Sequence, residues 1–268
     1  MRLRALVALP VVALTLAGCA GSSGGDSAAT SSSGASSSAE PLTGSLTVFA
    51  AASLTDVFTE LGNELKADNP DLDVRFNFAG SSALATQITE GAPADVFASA
   101  NEAQMKVVTD AGLQGEHPVI FTENVLEIAV PKGNPAKVTG LADFAKPDLT
   151  SAVCAPDVPC GAAARKVFQA AGITAVPDTE EEDVKAALTK VQLGEVDAAL
   201  VYATDVLAAG SDVEGIPFPE AEQAINKYPI ATVKAAPNPE AAQAFVELVQ
   251  SADGRKALTA AGFRTPSA

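Results

Sequence analysis

The sequence predicts an α/β fold built on parallel sheets. Three observations carry that prediction: strand-like stretches alternate with helical patterns, their connections are short, and the turns that end the strands are made of small residues. Sheets of this kind bind ligands beyond the carboxyl ends of their strands, where helix N-termini converge.

The first strand, SLTVFA (45–50), runs into the small turn Ala51-Ala52-Ser53. From Ser53 onward Leu54, Val57, Phe58, Leu61 and Leu65 recur at helical spacing, and Asp56 completes a capping-box-like start. LDVRFNF (72–78) repeats the unit: it ends in Ala79-Gly80-Ser81-Ser82, all small and uncharged, and a second helical pattern follows. Further strands are expected at DVFASA (95–100), VLEIAVP (125–131), TSAVCA (150–155), DAALVY (197–202) and YPIATV (228–233). The stretch after Gly161 reads as a helix closing at Gly172. EEEDVKAALTKVQLG opens with acids, which favour a helix N-terminus, and stops at Gly194. From Asn238 the chain reads as two helices separated near Asp253-Gly254.

Ahead of this region, Arg2 and Arg4 precede an apolar run from Ala5 to Leu16, a pattern of an export signal too short to span a membrane. Its ending, Leu16-Ala17-Gly18-Cys19, resembles the lipobox of bacterial lipoproteins, in which the cysteine becomes the lipidated first residue. An ordinary cleaved signal with an incidental cysteine is the alternative. Residues 20–43 are rich in Ser, Gly and Ala and read as a disordered tether. The expected location is therefore the outer face of the cytoplasmic membrane, with lipid on Cys19 as the only membrane attachment.

With Arg2 and Arg4 in the leader, 15 basic residues remain against 33 acidic ones, a formal charge of −18. Nucleic-acid binding through charge is excluded on that balance, and any anion site must be built locally. Cys154 and Cys160 lie six positions apart around prolines in an exported chain, which favours a structural disulfide over two free thiols. The single histidine, His117, leaves no metal-ligand cluster and no partner for a catalytic nucleophile, and no G-x-S-x-G elbow is present.

A helix N-terminus offers unpaired N–H groups and a partial positive charge. With a serine hydroxyl beside them and no carboxylate, the turn suits an anion. Ser53 and Ser81 meet these conditions, as does the turn Pro159-Cys160-Gly161. Val184 can add an N–H at the next helix start, and Tyr202, ending its strand, a phenolic donor. Serine is also the commonest helix cap, so each serine alone reads equally as a cap.

The segments TVFAAASLTDVF, FAGSSALATQI, GAPADVFASA, DVPCGAAARKVF, EEDVKAAL and AALVYATD, in this order, together resemble the molybdate-binding proteins of ABC importers. That resemblance implies a type II periplasmic-binding-protein fold, two α/β lobes joined by a two-stranded hinge. Lobe 1 is expected at residues 44–123 plus 233–268 and lobe 2 at 124–232, with ENVLEIAV and NKYPIATV as hinge strands. Motif by motif, it implies an oxyanion held by Ser53, Ser81, Cys160, Val184 and Tyr202, with no direct protein–metal ligand and no cofactor. At Cys160, where the family often has alanine, only the N–H is needed. The ligand is then molybdate or tungstate, the partners are the permease and ATPase of an ABC importer, and the protein is a monomer without enzymatic activity. The rivals are a receptor for another tetrahedral oxyanion such as sulfate and, more remotely, an exported hydrolase.

Overall fold

The structure is a computed structural model that describes residues 41–267. The expected leader, Cys19 and residues 20–40 of the tether lie outside the described residues.

The chain begins with β1 (Gly44–Ala51), a 3-10 turn at Ala52–Leu54, α1 (Thr55–Asp68), β2 (Leu72–Ala79) and α2 (Ser81–Thr89). It continues through β3 (Val96–Ala98), α3 (Glu102–Asp110), β4 (Val119–Asn124) and β5 (Leu126–Pro131). Next come β6 (Ser151–Cys154), α4 (Pro159–Ala171), β7 (Thr179–Glu181), α5 (Val184–Gln192), β8 (Ala198–Tyr202) and α6 (Ala203–Ala209). The last elements are β9 (Val213–Ile216), β10 (Asn226–Thr232), α7 (Pro239–Gln250) and α8 (Ala252–Ala260).

These strands form two five-stranded sheets, ordered β2-β1-β3-β10-β4 and β7-β6-β8-β5-β9. In each, four strands run in one direction and the strand in the fourth position runs antiparallel to them: β10 between β3 and β4, β5 between β8 and β9. The fold is α/β and two-lobed, as expected from strand–helix alternation. Parallel strands covered on both faces must be apolar throughout, and β8 is buried along its whole length. The first sheet carries a core on each face. Phe58 of α1 and Phe245 of α7 meet edge to face on one side, and Leu84, Met105 and Val108 of α2 and α3 fill the other.

The chain passes between the sheets twice. Only Val125 separates β4 from β5, inside the expected hinge segment. The return precedes Asn226, and NKYPIAT, the second expected hinge segment, pairs within the first sheet. Its alternating pattern marks a strand but not which neighbours satisfy its hydrogen bonds.

Three strands were not expected. β7 and β9 are short edge strands, and β4 runs almost directly into β5. The break between α7 and α8 falls at Ser251, whose hydroxyl accepts from Gly254 N at 2.9 Å, rather than at Asp253-Gly254. The capping-box start at Ser53 is also corrected. Ser53 lies inside the 3-10 turn, and α1 starts behind Leu54 with no side-chain cap.

Candidate anion site

The two small-residue turns stand at the carboxyl ends of the adjacent parallel strands β1 and β2. Neither serine caps its helix. Ser81 is the first residue of α2, behind Gly80, and its buried hydroxyl accepts from Ala100 N at 2.9 Å. The Ser53 hydroxyl lies 2.9 Å from the Tyr228 hydroxyl. Other helices of the chain do use side-chain caps: Asn101 for α3, Asn238 for α7 and Ser251 for α8. The serine turns therefore leave first-turn N–H groups without the partner a cap would give them.

The second sheet supplies three more predicted residues. α4 opens with Pro159 and no side-chain cap, which suits proline at the first helical position. Cys160 follows it, buried and bonded to Cys154 at the end of β6, with Cα atoms 5.6 Å apart. Val184 begins α5, where the Asp183 side chain caps Ala186 N at 2.9 Å. Helix geometry gives the N–H groups of Cys160 and Val184 no intrahelical acceptor. Tyr202 ends β8 fully buried.

A buried polar network joins three of these residues. The Asn226 side-chain amide donates to the Ala100 carbonyl at 2.8 Å and to the Tyr202 hydroxyl at 3.0 Å. Ala100 thus links Ser81, through its N–H, to Tyr202, through its carbonyl and Asn226. On the other side the Asn124 amide nitrogen donates to Thr204 Oγ1 at 2.8 Å and lies 3.5 Å from the Tyr228 hydroxyl, which reaches Ser53. The two tyrosine rings meet edge to face, 6.1 Å between centroids.

Burial pushes the Tyr202 hydroxyl well above the ordinary phenol range, and Tyr228 and Asp205 add to the rise. Burial raises Tyr228 in the same way. Both phenols are therefore protonated donors at neutral pH. Asp205, buried behind Tyr202, accepts from Tyr202 N at 3.1 Å, and Lys185 Nζ lies 3.6 Å from its other oxygen. Burial lifts its carboxyl to about 6 against the opposing pull of Lys185. One of its oxygens is taken by that backbone N–H, and the other is buried without a hydrogen-bond partner beside Lys185.

The two lobes touch around this network. Gly80 packs so closely on the Glu182 carbonyl that a Cβ there would collide with it, and would also lie 3.6 Å from Val158 Cγ1. The turn before α2 is thereby brought against the turns before α4 and α5. Gln104 Nε2 donates to Asp157 O at 2.8 Å, and Lys185 Nζ donates to Asp56 Oδ2 at 3.1 Å. Arg264 grips Glu222 through two bonds of 2.7 and 2.8 Å. The lobes are closed on one another.

Sequence reasoning missed Asn124, Thr204, Asp205, Asn226 and Tyr228. One signal was available: Asn226 and Tyr228 alternate on one face of a strand that is otherwise buried and largely apolar. Among the described residues no cluster of His, Cys, Asp and Glu can hold a metal ion, and no helix is long and apolar enough to cross a membrane.

Comparison with known proteins bears on the family and the fold. The molybdate-binding protein ModA of Mycobacterium tuberculosis H37Rv is 47% identical over 222 residues, covering 83% of this chain and 85% of that protein. The periplasmic molybdate-binding protein of Azotobacter vinelandii superposes with a TM-score of 0.71 at 19% identity, over 83% of this chain and all of that one. The sulfate-binding protein SubI of M. tuberculosis gives 0.69 at 18% identity, over 84% and 87% of the two chains, so the fold alone does not separate these ligands. Residues 46–264 match the bacterial extracellular solute-binding protein family. On that match, and on its identity with the ModA protein, the chain belongs to the bacterial extracellular solute-binding protein family and groups with the ModA proteins.

Proposed function

We propose that the protein binds molybdate or tungstate outside the cytoplasm and delivers it to the permease and ATPase of an ABC importer. The observation that carries this reading is the state of the hydroxyls. Ser81 and Tyr202 each already accept a hydrogen bond from a protein N–H, so each has its hydrogen left to donate. Ser53 adds a third hydroxyl, and the N–H groups of Ser53, Ser81, Cys160 and Val184 complete a shell of donors around a tetrahedral dianion. Molybdenum is held only through its oxygens.

Each hydrogen bond to an ionised acceptor contributes about 1.5–3 kcal/mol, and the starts of α2, α4 and α5 add a favourable dipole. No charged side chain pairs with the anion, so the acidic surface of the protein does not compete for a shared counter-ion. Hydrogen phosphate carries a proton that finds no acceptor in such a shell. Sulfate meets the donors but is smaller, so the site must reject it by size. The choice of molybdate over sulfate rests on the ModA relatives. The protein has no catalytic step in this reading, and it is exported, monomeric and held to the membrane by lipid on Cys19.

Calorimetric titration of the protein lacking its leader tests the reading. Molybdate and tungstate should bind at least ~100-fold tighter than sulfate or hydrogen phosphate, about 2.7 kcal/mol. Tighter binding of sulfate would assign the protein to the rival class.

A further inference from the structure

We propose that Asn226, together with the Asn124–Tyr228 pair, fixes the direction of the hydroxyl hydrogens and so makes the site reject protonated anions. This rests on the anion-binding reading above and assigns the rejection to residues that need not touch the anion.

An asparagine side chain can face either way, and its orientation follows from neighbours able to play only one role. The Ala100 carbonyl can only accept, so the nitrogen of Asn226 must face it. That same nitrogen then has its second hydrogen directed at the Tyr202 oxygen. The phenol oxygen accepts there, which leaves its own hydrogen to donate. Asn124 is fixed by the opposite logic. Its side-chain oxygen accepts from Val125 N at 3.0 Å, a group that can only donate. Its nitrogen therefore faces Thr204 and, at 3.5 Å, Tyr228. The 2.9 Å contact between the Tyr228 and Ser53 hydroxyls permits either direction; the Asn124 nitrogen beside the Tyr228 oxygen favours donation from Tyr228, which turns the Ser53 hydrogen to the cleft. Ser81 reaches the same state through Ala100 N.

Ser81 and Tyr202 are thus donors by their surroundings, and the Asn124–Tyr228 pair biases Ser53 the same way. A bare serine or tyrosine hydroxyl could turn to accept from a protonated oxyanion. Here each hydroxyl already accepts from a protein donor, which turns its hydrogen away from that donor. Asn226 and Tyr228 are positioning residues for specificity.

The test compares sulfate with hydrogen phosphate, two small tetrahedral anions that differ chiefly in one proton. Parent, Asn226→Ala and Tyr228→Phe proteins are titrated with molybdate, sulfate and hydrogen phosphate at pH 7.5, and each is melted without ligand to establish folding. Both substitutions free a hydroxyl oxygen to accept. The expected result is weaker molybdate binding and a hydrogen-phosphate-to-sulfate affinity ratio raised about ten-fold over the parent. If the folded variants lose affinity for all three anions in parallel, the residues only support the structure and the proposal is overturned. Should Asn226→Ala fail to fold, the near-isosteric Tyr228→Phe decides alone. A parent that ignores molybdate overturns the anion-binding reading itself, an outcome distinct from an unchanged ratio in the variants.

Discussion

Asn124 and Asn226 stand directly opposite one another in the β4–β10 register, at the two points where the chain passes between the sheets. Their side chains diverge to different tyrosines, Asn124 toward Tyr228 and Asn226 to Tyr202. The hinge and the hydroxyl donors are therefore one structure. Motion of one lobe relative to the other must pass through residues that also hold the donors in place.

Ser81 separates ligand contact from helix cap. Ser81→Ala should weaken molybdate binding by about 1.5–3 kcal/mol, ten- to a hundred-fold. Some loss of apo stability is also expected, because Ala100 N loses its acceptor. Ser81→Asp sharpens the comparison by placing a carboxylate against the anion. If calorimetry finds molybdate affinity at the parent level in both variants, Ser81 does not contact the ligand.

Gly80 reports on closure. Its φ of −58° suits any residue, so Gly80→Ala strains no backbone, yet the new methyl would meet the Glu182 carbonyl across the cleft. The variant should bind molybdate at least ~10-fold more weakly, about 1.4 kcal/mol. Small-angle scattering should show it remaining more extended than the parent with ligand present. Equal compaction and equal affinity would mean that the lobes do not close at this contact.

Asp205 gives a pH signature. Its carboxyl sits at about 6 in the folded protein against an ordinary 3.8, so the folded state holds the proton more tightly than the unfolded one. Its favourable contribution is complete below about pH 4 and lost as the pH rises through 6, leaving a cost on the order of 3 kcal/mol at neutral pH. Asp205→Asn can still accept from Tyr202 N, and it should melt higher than the parent at pH 7–8. The gap should shrink toward pH 4. A constant difference across that window would assign the effect to packing.

The Cys154–Cys160 bond closes a small loop that carries the Cys160 turn. In the chain-entropy model it contributes about 2 kcal/mol. Protein lacking Cys19, unfolded without reductant, should present no reactive thiol. Two titrating thiols would remove the bond from the account.

The alternation of strands and helices was legible because glycines such as Gly172 and Gly194, with positive φ, stop helices where the apolar period ends. Sheet membership was not: β10 has the same pattern whichever lobe it joins, and only its pairing with β3 and β4 decides. The serine turns stood out as small and uncharged. What their hydroxyls do was hidden, since Ser53 looks like a cap with Asp56 behind it while its partner, Tyr228, lies 175 positions away. The roles of Asn124 and Asn226 were hidden for the same reason. An asparagine gains its role from which single-purpose backbone group lies beside it, and that is a property of the assembled fold.

The central claim is one cleft holding a tetrahedral dianion by donors alone. Anomalous diffraction at the tungsten edge from crystals grown with tungstate tests it most directly. One strong peak is expected between the lobes, with oxygens within hydrogen-bonding distance of the Ser53, Ser81 and Tyr202 hydroxyls and of the N–H groups at Cys160 and Val184. A peak elsewhere, or one coordinated by carboxylates or basic side chains, would contradict it.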